Sequence, residues 1–215
     1  MSKQKHQEYA VIGLGRFGFN LAVALDEHRH TVMAIDVDPQ LVQSIVDQVT
    51  HAATLDCSNE EALRDIDIGT FDTVIVAIGN DFEANLLTTV NLKNLGVRRI
   101  ICKAQTSRKC DILLRLGADR VIQPEHSSAR HLAEELSAPA MIDHFNLGQD
   151  YIVAEIVLPE SLAWQSLAQI DMRNTYRVTI LLIKRGDEVH ISPRADTILQ
   201  KEDILVLFGK NQFVN

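Results

Sequence analysis

Three glycines pose the first chemical question. Gly13, Gly15 and Gly18 stand in Gly13-Leu14-Gly15-Arg16-Phe17-Gly18, a GxGxxG that follows a short apolar run and opens a stretch of helical period. Each glycine has a physical task in such a turn. Gly13 permits a tight change of direction, Gly15 lets a phosphate approach the backbone, and Gly18 lets helix and strand pack closely. The first helical turn then offers N–H groups without intrahelical partners, together with the positive end of the helix dipole. Asp36 closes the next apolar run. A carboxylate there accepts hydrogen bonds from a ribose 2′-hydroxyl and repels a 2′-phosphate, which disfavours NADP. NAD(H), ATP, ADP and AMP all carry an adenosine with a free 2′-hydroxyl, so Asp36 does not separate them.

Two later loops fall where the rest of such a ligand would lie. Asp56-Cys57 follows the third apolar run, where a carboxylate meets a base amino group or orients a backbone contact. Ala77-Ile78-Gly79-Asn80 follows the fourth, and its small residues allow an adenine or a ribose to lie close. Arg16, inside the phosphate turn, is placed to reach a terminal phosphate in its own subunit or across an interface.

Periodicity supplies the elements that must position these groups. Residues 9–13, 31–36, 52–55, 73–77, 99–104 and 120–123 read as strands, short, apolar on both faces and rich in Val and Ile. Helical stretches lie between them. One runs over 16–28, and one starts at Pro39 after Asp38. A third opens at a Ser58/Glu61 capping box, and two more cover 81–95 and 108–116. This alternation predicts an α/β fold, a Rossmann-like doubly wound parallel sheet with its ligand crevice at the carboxyl ends of the strands. Helical spacing resumes over 125–145, with Ala129, Leu132, Ala133, Leu136 and Ala140 on one face, and predicts a crossover helix. A polar hinge is expected at 146–150. Beyond it, strands at 151–158, 177–184, 188–192 and 204–208, a helix at 160–170 and a turn at Arg185-Gly186-Asp187 predict a small α+β lobe. The expected division is 1–145 and 146–215.

Composition narrows the partners. Of 215 residues, 46% are apolar and 23% charged, and the formal net charge is -8. That balance argues against nucleic acid, whose phosphates require clustered Lys and Arg, and against adhesion to an anionic bilayer. No apolar run approaches the roughly 20 residues that span a membrane, and the polar start resembles no signal peptide. A cytosolic chain that serves a membrane only through a partner is expected. Cys57, Cys102 and Cys110 have no CxxC spacing and read as reduced thiols. No tyrosine precedes a lysine by four residues, and no GxSxG, Walker A or metal-ligand cluster occurs. The chain reads as a nucleotide site without catalytic apparatus, hence a sensor and not an enzyme. An NAD(H)-binding oxidoreductase or redox sensor is the alternative.

The stretches AVIGLGRFGFNLAVAL, AIDVDPQLVQSI, HAATLDCSNEEAL, VIVAIGNDFEANL and ICKAQTSRKCDILLRLGADRVIQPEHSSARHLA closely resemble the RCK domain of Ktr-type potassium transporters. SLAQIDMRNTYRVTILLIKRGDEVHISPRADTILQKEDILVLFG resembles the second, RCK-C lobe of the same proteins. The resemblance covers nearly the whole chain, in order. It implies a regulatory subunit that assembles, through dimers, into an octameric ring beneath a membrane potassium-translocating subunit. ATP would favour the active ring and ADP the inactive one. By position, Gly13, Gly15, Arg16, Phe17 and Gly18 match the family's phosphate loop, Asp36 its ribose ligand, and Asp56 and Cys57 the adenine edge. Ala or Thr often stands in the family where this chain has Cys57. Ile78 and Gly79 fall in the loop after the fourth strand, and Lys103 and Ala104 match positions near sugar and phosphates. Glu125 matches a carboxylate that helps hold Mg2+ or Ca2+ between subunits. Asp171, Arg173 and Pro193 match a cleft that binds cyclic di-AMP in some relatives, some of which carry histidine where this chain has Ser192.

Overall fold

The computed structural model describes residues 6–137, 141–148 and 150–210. The chain divides into two compact units, residues 1–128 and 129–215.

In the first unit six short strands form one parallel sheet. They are β1 (Glu8–Ile12), β2 (Thr31–Asp36), β3 (His51–Thr54), β4 (Thr73–Val76), β5 (Ile100–Lys103) and β6 (Arg120–Ile122), in the order β3-β2-β1-β4-β5-β6. The strands are apolar because helices cover both faces. All four residues of β4 are buried, and two separate apolar clusters flank the sheet. The helices are α1 (Arg16–Glu27), α2 (Pro39–Ile45), α3 (Glu60–Asp65), α4 (Phe82–Asn94) and α5 (Ser107–Arg115). Order reverses beside β1, whose neighbours are β2 and β4, and a crevice opens at such a switch point.

Local chemistry starts most of these helices. The side chains of Asp38, Asn59, Asp81 and Thr106 accept a backbone N–H at the start of α2, α3, α4 and α5. The expected capping box at Ser58 is replaced by the Asn59 cap, because Ser58 is bonded to Asp56 instead. Of the helix expected over 125–145, α6 (Pro124–Ser137) supplies the first part, residues 138–140 lie outside the described residues, and 141–145 are not helical.

The reason is a strand that local spacing does not reveal. The second unit is a five-stranded antiparallel sheet of β7 (Met141–Gly148), β8 (Tyr151–Val157), β9 (Val178–Arg185), β10 (Glu188–Ile191) and β11 (Ile204–Lys210), ordered β10-β9-β11-β8-β7. Met141–Gly148 pairs with β8 along its length, and those hydrogen bonds outweigh continuation of the helix. The expected hinge at 146–150 instead begins within β7, with Gly148 paired to Tyr151 and Gly148 and Asp150 at φ of +82° and +66°; residue 149 lies outside the described residues. The expected boundary at 145/146 lies inside β7. The expected helix over 160–170 is a 3-10 turn at Glu160–Leu162 followed by two short helices, α7 (Leu167–Ile170) and α8 (Met172–Thr175). Trp164 at φ +67° breaks the first stretch, and Asp171 at φ +49° separates the two helices.

Candidate functional site

At the carboxyl ends of the parallel sheet lies a cleft of about 1020 Å3. Gly13, Gly15, Arg16, Phe17, Asp36, Asp56, Cys57, Ile78, Gly79, Lys103 and Glu125 all line it. Two expected residues do not. Gly18 is buried against the turn, and Ala104 sits in the core with its N–H bonded to the Ile122 carbonyl.

The three glycines are demanded by different things. Gly13 has φ +95°, and a Cβ there would stand 2.8 Å from the Ile78 nitrogen. A Cβ on Gly18 would collide with the Gly13 carbonyl oxygen. Packing therefore explains both. Gly15 is different, because its φ of -63° is ordinary and a Cβ would meet nothing within 4 Å. Neither strain nor crowding requires glycine there, and its bare backbone faces the cleft. It is also the N-cap of α1, which has no side-chain cap.

Asp36 is half-buried at the end of β2. Its Oδ2 accepts the Leu14 N–H at 2.6 Å and its Oδ1 accepts the Asp38 N–H at 2.9 Å. Asp56 is exposed, and its Oδ1 accepts both the N–H and the hydroxyl of Ser58, at 2.9 and 2.7 Å. The hydroxyl bond, then the N–H bond, holds the Asp56 carboxyl below its usual range and leaves Oδ2 available to a base amino group. Cys57 is buried beside it. Burial first, then the Asp56 and Asp36 charges, pushes its thiol up to about 12. At neutral pH it is a protonated, apolar wall and not a nucleophile.

Lys103 and Glu125 close the other side. Lys103 Nζ lies 2.7 Å from Glu125 Oε1 and 5.8 Å from the centre of the Phe17 ring. The hydrogen bond from Lys103, then the backbone N–H of Glu125 itself, lowers the Glu125 carboxyl, with the charges of Lys103 and Arg16 adding to the effect. Asn85 is buried behind this wall, and its Nδ2 donates to the Ile78 and Lys103 carbonyls at 2.8 and 3.1 Å. It thereby ties together the ends of β4 and β5. Among the described residues no group of three or more His, Cys, Asp or Glu could hold a metal ion. Glu125 alone does not complete a cation site within one chain.

Sequence reading passed over the apolar flank. Val37 and Leu41 line the cleft, and Val37 is 64% exposed directly after Asp36. Nothing in the sequence marks this flank, because the exposure of Val37 is set by the fold.

A second cleft, of about 330 Å3, lies in the second unit. Asp171, Arg173 and Pro193 all line it, beside Met172, Val178 and Ile180. Asp171 Oδ2 accepts from Asn174 Nδ2 at 2.7 Å, which fixes the left-handed turn before α8.

The sequence matches the TrkA-N domain over residues 9–124 and the TrkA-C domain over residues 153–214. Ktr system potassium uptake protein C of Bacillus subtilis (strain 168) is 39% identical over 203 residues, covering 94% of this chain and 92% of that protein. The chain belongs to the Ktr family of RCK-domain proteins. Ktr system potassium uptake protein A of the same organism is 34% identical over 209 residues, covering 97% of this chain and 94% of its own. Among solved structures, the GsuK RCK domain superposes with a TM-score of 0.55 at 25% identity, over 96% of this chain and 44% of that one. In this Ktr-family chain the larger cleft falls in the TrkA-N part, apart from Glu125 just beyond its matched end, and the smaller in the TrkA-C part. Among the described residues, no helix of this Ktr protein is long and apolar enough to cross a membrane.

Proposed function

We propose that the first unit binds an adenine nucleotide in the 1020 Å3 cleft and that ATP/ADP exchange there gates potassium flux through a membrane-embedded partner. The observation that carries this reading is Gly15. Its bare backbone is required by neither conformation nor packing, and it heads an uncapped helix across from Asp36. Phosphate at the helix start and ribose at the carboxylate account for both.

The proposal includes no chemical conversion. Cys57 is held protonated, and the charged groups, Arg16 and Lys103 against Glu125, suit recognition of terminal phosphates. Because Glu125 belongs to no group of three or more potential ligands among the described residues, a divalent cation, Mg2+ or Ca2+, would take Glu125 from two copies together with phosphate oxygens. A homo-oligomer follows, with dimers closing into an octameric ring on the cytoplasmic side of the translocating subunit. Nucleotide would act by favouring one ring shape over another. The second cleft, with Asp171, Arg173 and Pro193, would take cyclic di-AMP across a two-fold interface.

The test is a thermal-unfolding panel with ATP, ADP, NAD+, NADH and cyclic di-AMP, each with and without Mg2+ or Ca2+. Stabilisation by ATP and ADP, with a cation effect confined to ATP, supports the reading. Stabilisation by NADH alone moves the site to the redox alternative, which Asp36 accommodates equally well. Proteoliposomes carrying the translocating subunit then measure whether ATP and ADP set different potassium fluxes.

A further inference from the structure

Charge is placed unevenly along the chain. Residues 93–120 carry eight Lys and Arg against two Asp, which leaves 13 basic and 27 acidic residues (21 − 8 and 29 − 2) for the remainder. Five of the eight cations, Lys93, Arg98, Arg99, Arg115 and Arg120, gather where β4, β5 and β6 begin, at the end of the sheet away from the larger cleft. Contacts on the page draw them together. Asp119 bonds the carbonyl and the N–H of Ile100 at 2.9 and 2.7 Å, so that 119–120 lies beside 99–100. The methylenes of Lys93, in the last turn of α4, lie 3.0 Å from where a Gly117 Cβ would stand, two residues past Arg115 at the end of α5.

Local acids do not neutralise this group. Asp119 is committed to the Ile100 N–H, and Asp72 to the Glu8 N–H and to Arg98, a contact of 3.5 Å. The side chains of Lys93, Arg99, Arg115 and Arg120 are exposed and make no hydrogen bond or ion pair with another described residue. The negative end of a helix dipole accounts for Lys93 and Arg115. It does not account for Arg99 and Arg120, which stand outside the helices.

We propose that this end of the sheet docks on anionic phospholipid headgroups. None of the five residues lines either cleft, so the surface offers charge without a pocket to seat a shaped segment. It extends from Arg98, paired with the residue before β4, to Arg120 on β6, across strands about 4.8 Å apart. That width exceeds one phosphate and matches a plane of them, to which guanidinium groups bond in pairs. The acidic remainder of the chain is repelled by the same bilayer, so attraction through the patch also sets orientation. The net charge of -8 weighs against adhesion only as an average, because beyond about 10 Å salt screens the distant acids from the patch.

The experiment is cosedimentation of the full chain with vesicles of phosphatidylglycerol and phosphatidylcholine in equal parts, and of phosphatidylcholine alone. Two triple variants share one net charge. Arg99→Gln/Arg115→Gln/Arg120→Gln removes the patch, and Arg64→Gln/Arg194→Gln/Lys201→Gln removes exposed cations elsewhere. The expected result is binding to the mixed vesicles alone, weakening as salt rises. The patch triple should bind about a hundredfold more weakly, roughly a factor of five per cation, and the control triple about as well as wild type. Arg99→Gln and Arg120→Gln singly should each lower binding about fivefold, which keeps the test open should the triple fold poorly. A wild type that ignores the mixed vesicles overturns the proposal, and so does an equal loss in both triples. Binding to polyglutamate without binding to vesicles overturns it too, and marks an acidic protein segment as the partner.

Discussion

The backbone N–H of Leu14 donates to Asp36 Oδ2 at 2.6 Å, so the carboxylate that closes β2 also shapes the GxGxxG turn. On the nucleotide reading proposed above, one side chain would join sugar and phosphate recognition.

Asp36→Ala removes both that bond and the one from Asp38. Adenine-nucleotide affinity should fall by about 1–3 kcal/mol, as losing a charged hydrogen-bond partner does. Calorimetry with ADP checks this, and an unchanged constant would remove Asp36 from the site. Asp36→Asn keeps one acceptor oxygen and should fall between wild type and alanine.

Gly15→Ala and Gly13→Ala should fail in opposite ways. Alanine at 15 meets no neighbour and adopts φ -63° freely, so the fold survives while phosphate approach is blocked. Alanine at 13 must adopt φ +95° within 2.8 Å of the Ile78 nitrogen, at a cost of at least about 2 kcal/mol. Denaturant melts beside ADP titrations separate the two. A Gly15→Ala protein that binds ADP normally would count against a phosphate at that turn.

In the second unit Arg185 holds Asp203 by two bonds of 2.8 Å, and Asp203 also accepts the Gln200 N–H at 2.8 Å. Burial alone would raise the Asp203 carboxyl, yet these partners outweigh it and hold it below its ordinary 3.8. A depressed carboxyl stabilises the fold above its unfolded value, and that stability is lost as pH falls through the folded one. The second unit should therefore hold constant stability down to about pH 4 and weaken below it. Arg185→Ala strands a fully buried charge and should cost about 3–5 kcal/mol at pH 7. Urea melts across pH 3 to 7 test both statements.

Alkali should expose Cys57. Its thiol ionises at an ordinary 9.0 when unfolded and at about 12 when folded. Between those values only the unfolded chain loses the proton, so stability falls by about 1.4 kcal/mol per pH unit for this thiol. Cys57→Ala should flatten the slope above pH 9, whatever its effect at pH 7. A slope identical to wild type would mean that Cys57 ionises in the fold.

The parallel sheet was legible because each strand is covered on both faces, so that Val74, Ile75 and Val76 read as one apolar run. The GxGxxG turn was legible because its glycines are demanded by backbone contacts, Gly18 by the Gly13 carbonyl within the motif and Gly13 by the Ile78 nitrogen after β4. β7 was not legible. Ala129, Leu132, Ala133, Leu136 and Ala140 keep helical spacing up to the start of β7, and only pairing with β8, such as Phe145 with Val153, makes the later residues a strand.

Helix α1 begins without a side chain to close its first turn, whereas α2, α3, α4 and α5 each carry their own. A phosphate seated at Gly15 would serve as that missing cap, making the ligand a component of the secondary structure. The ordering of one helical turn would then track nucleotide abundance. Amide hydrogen exchange at Arg16, Phe17 and Gly18 would serve as a built-in gauge of occupancy, slowing as the cell's supply rises.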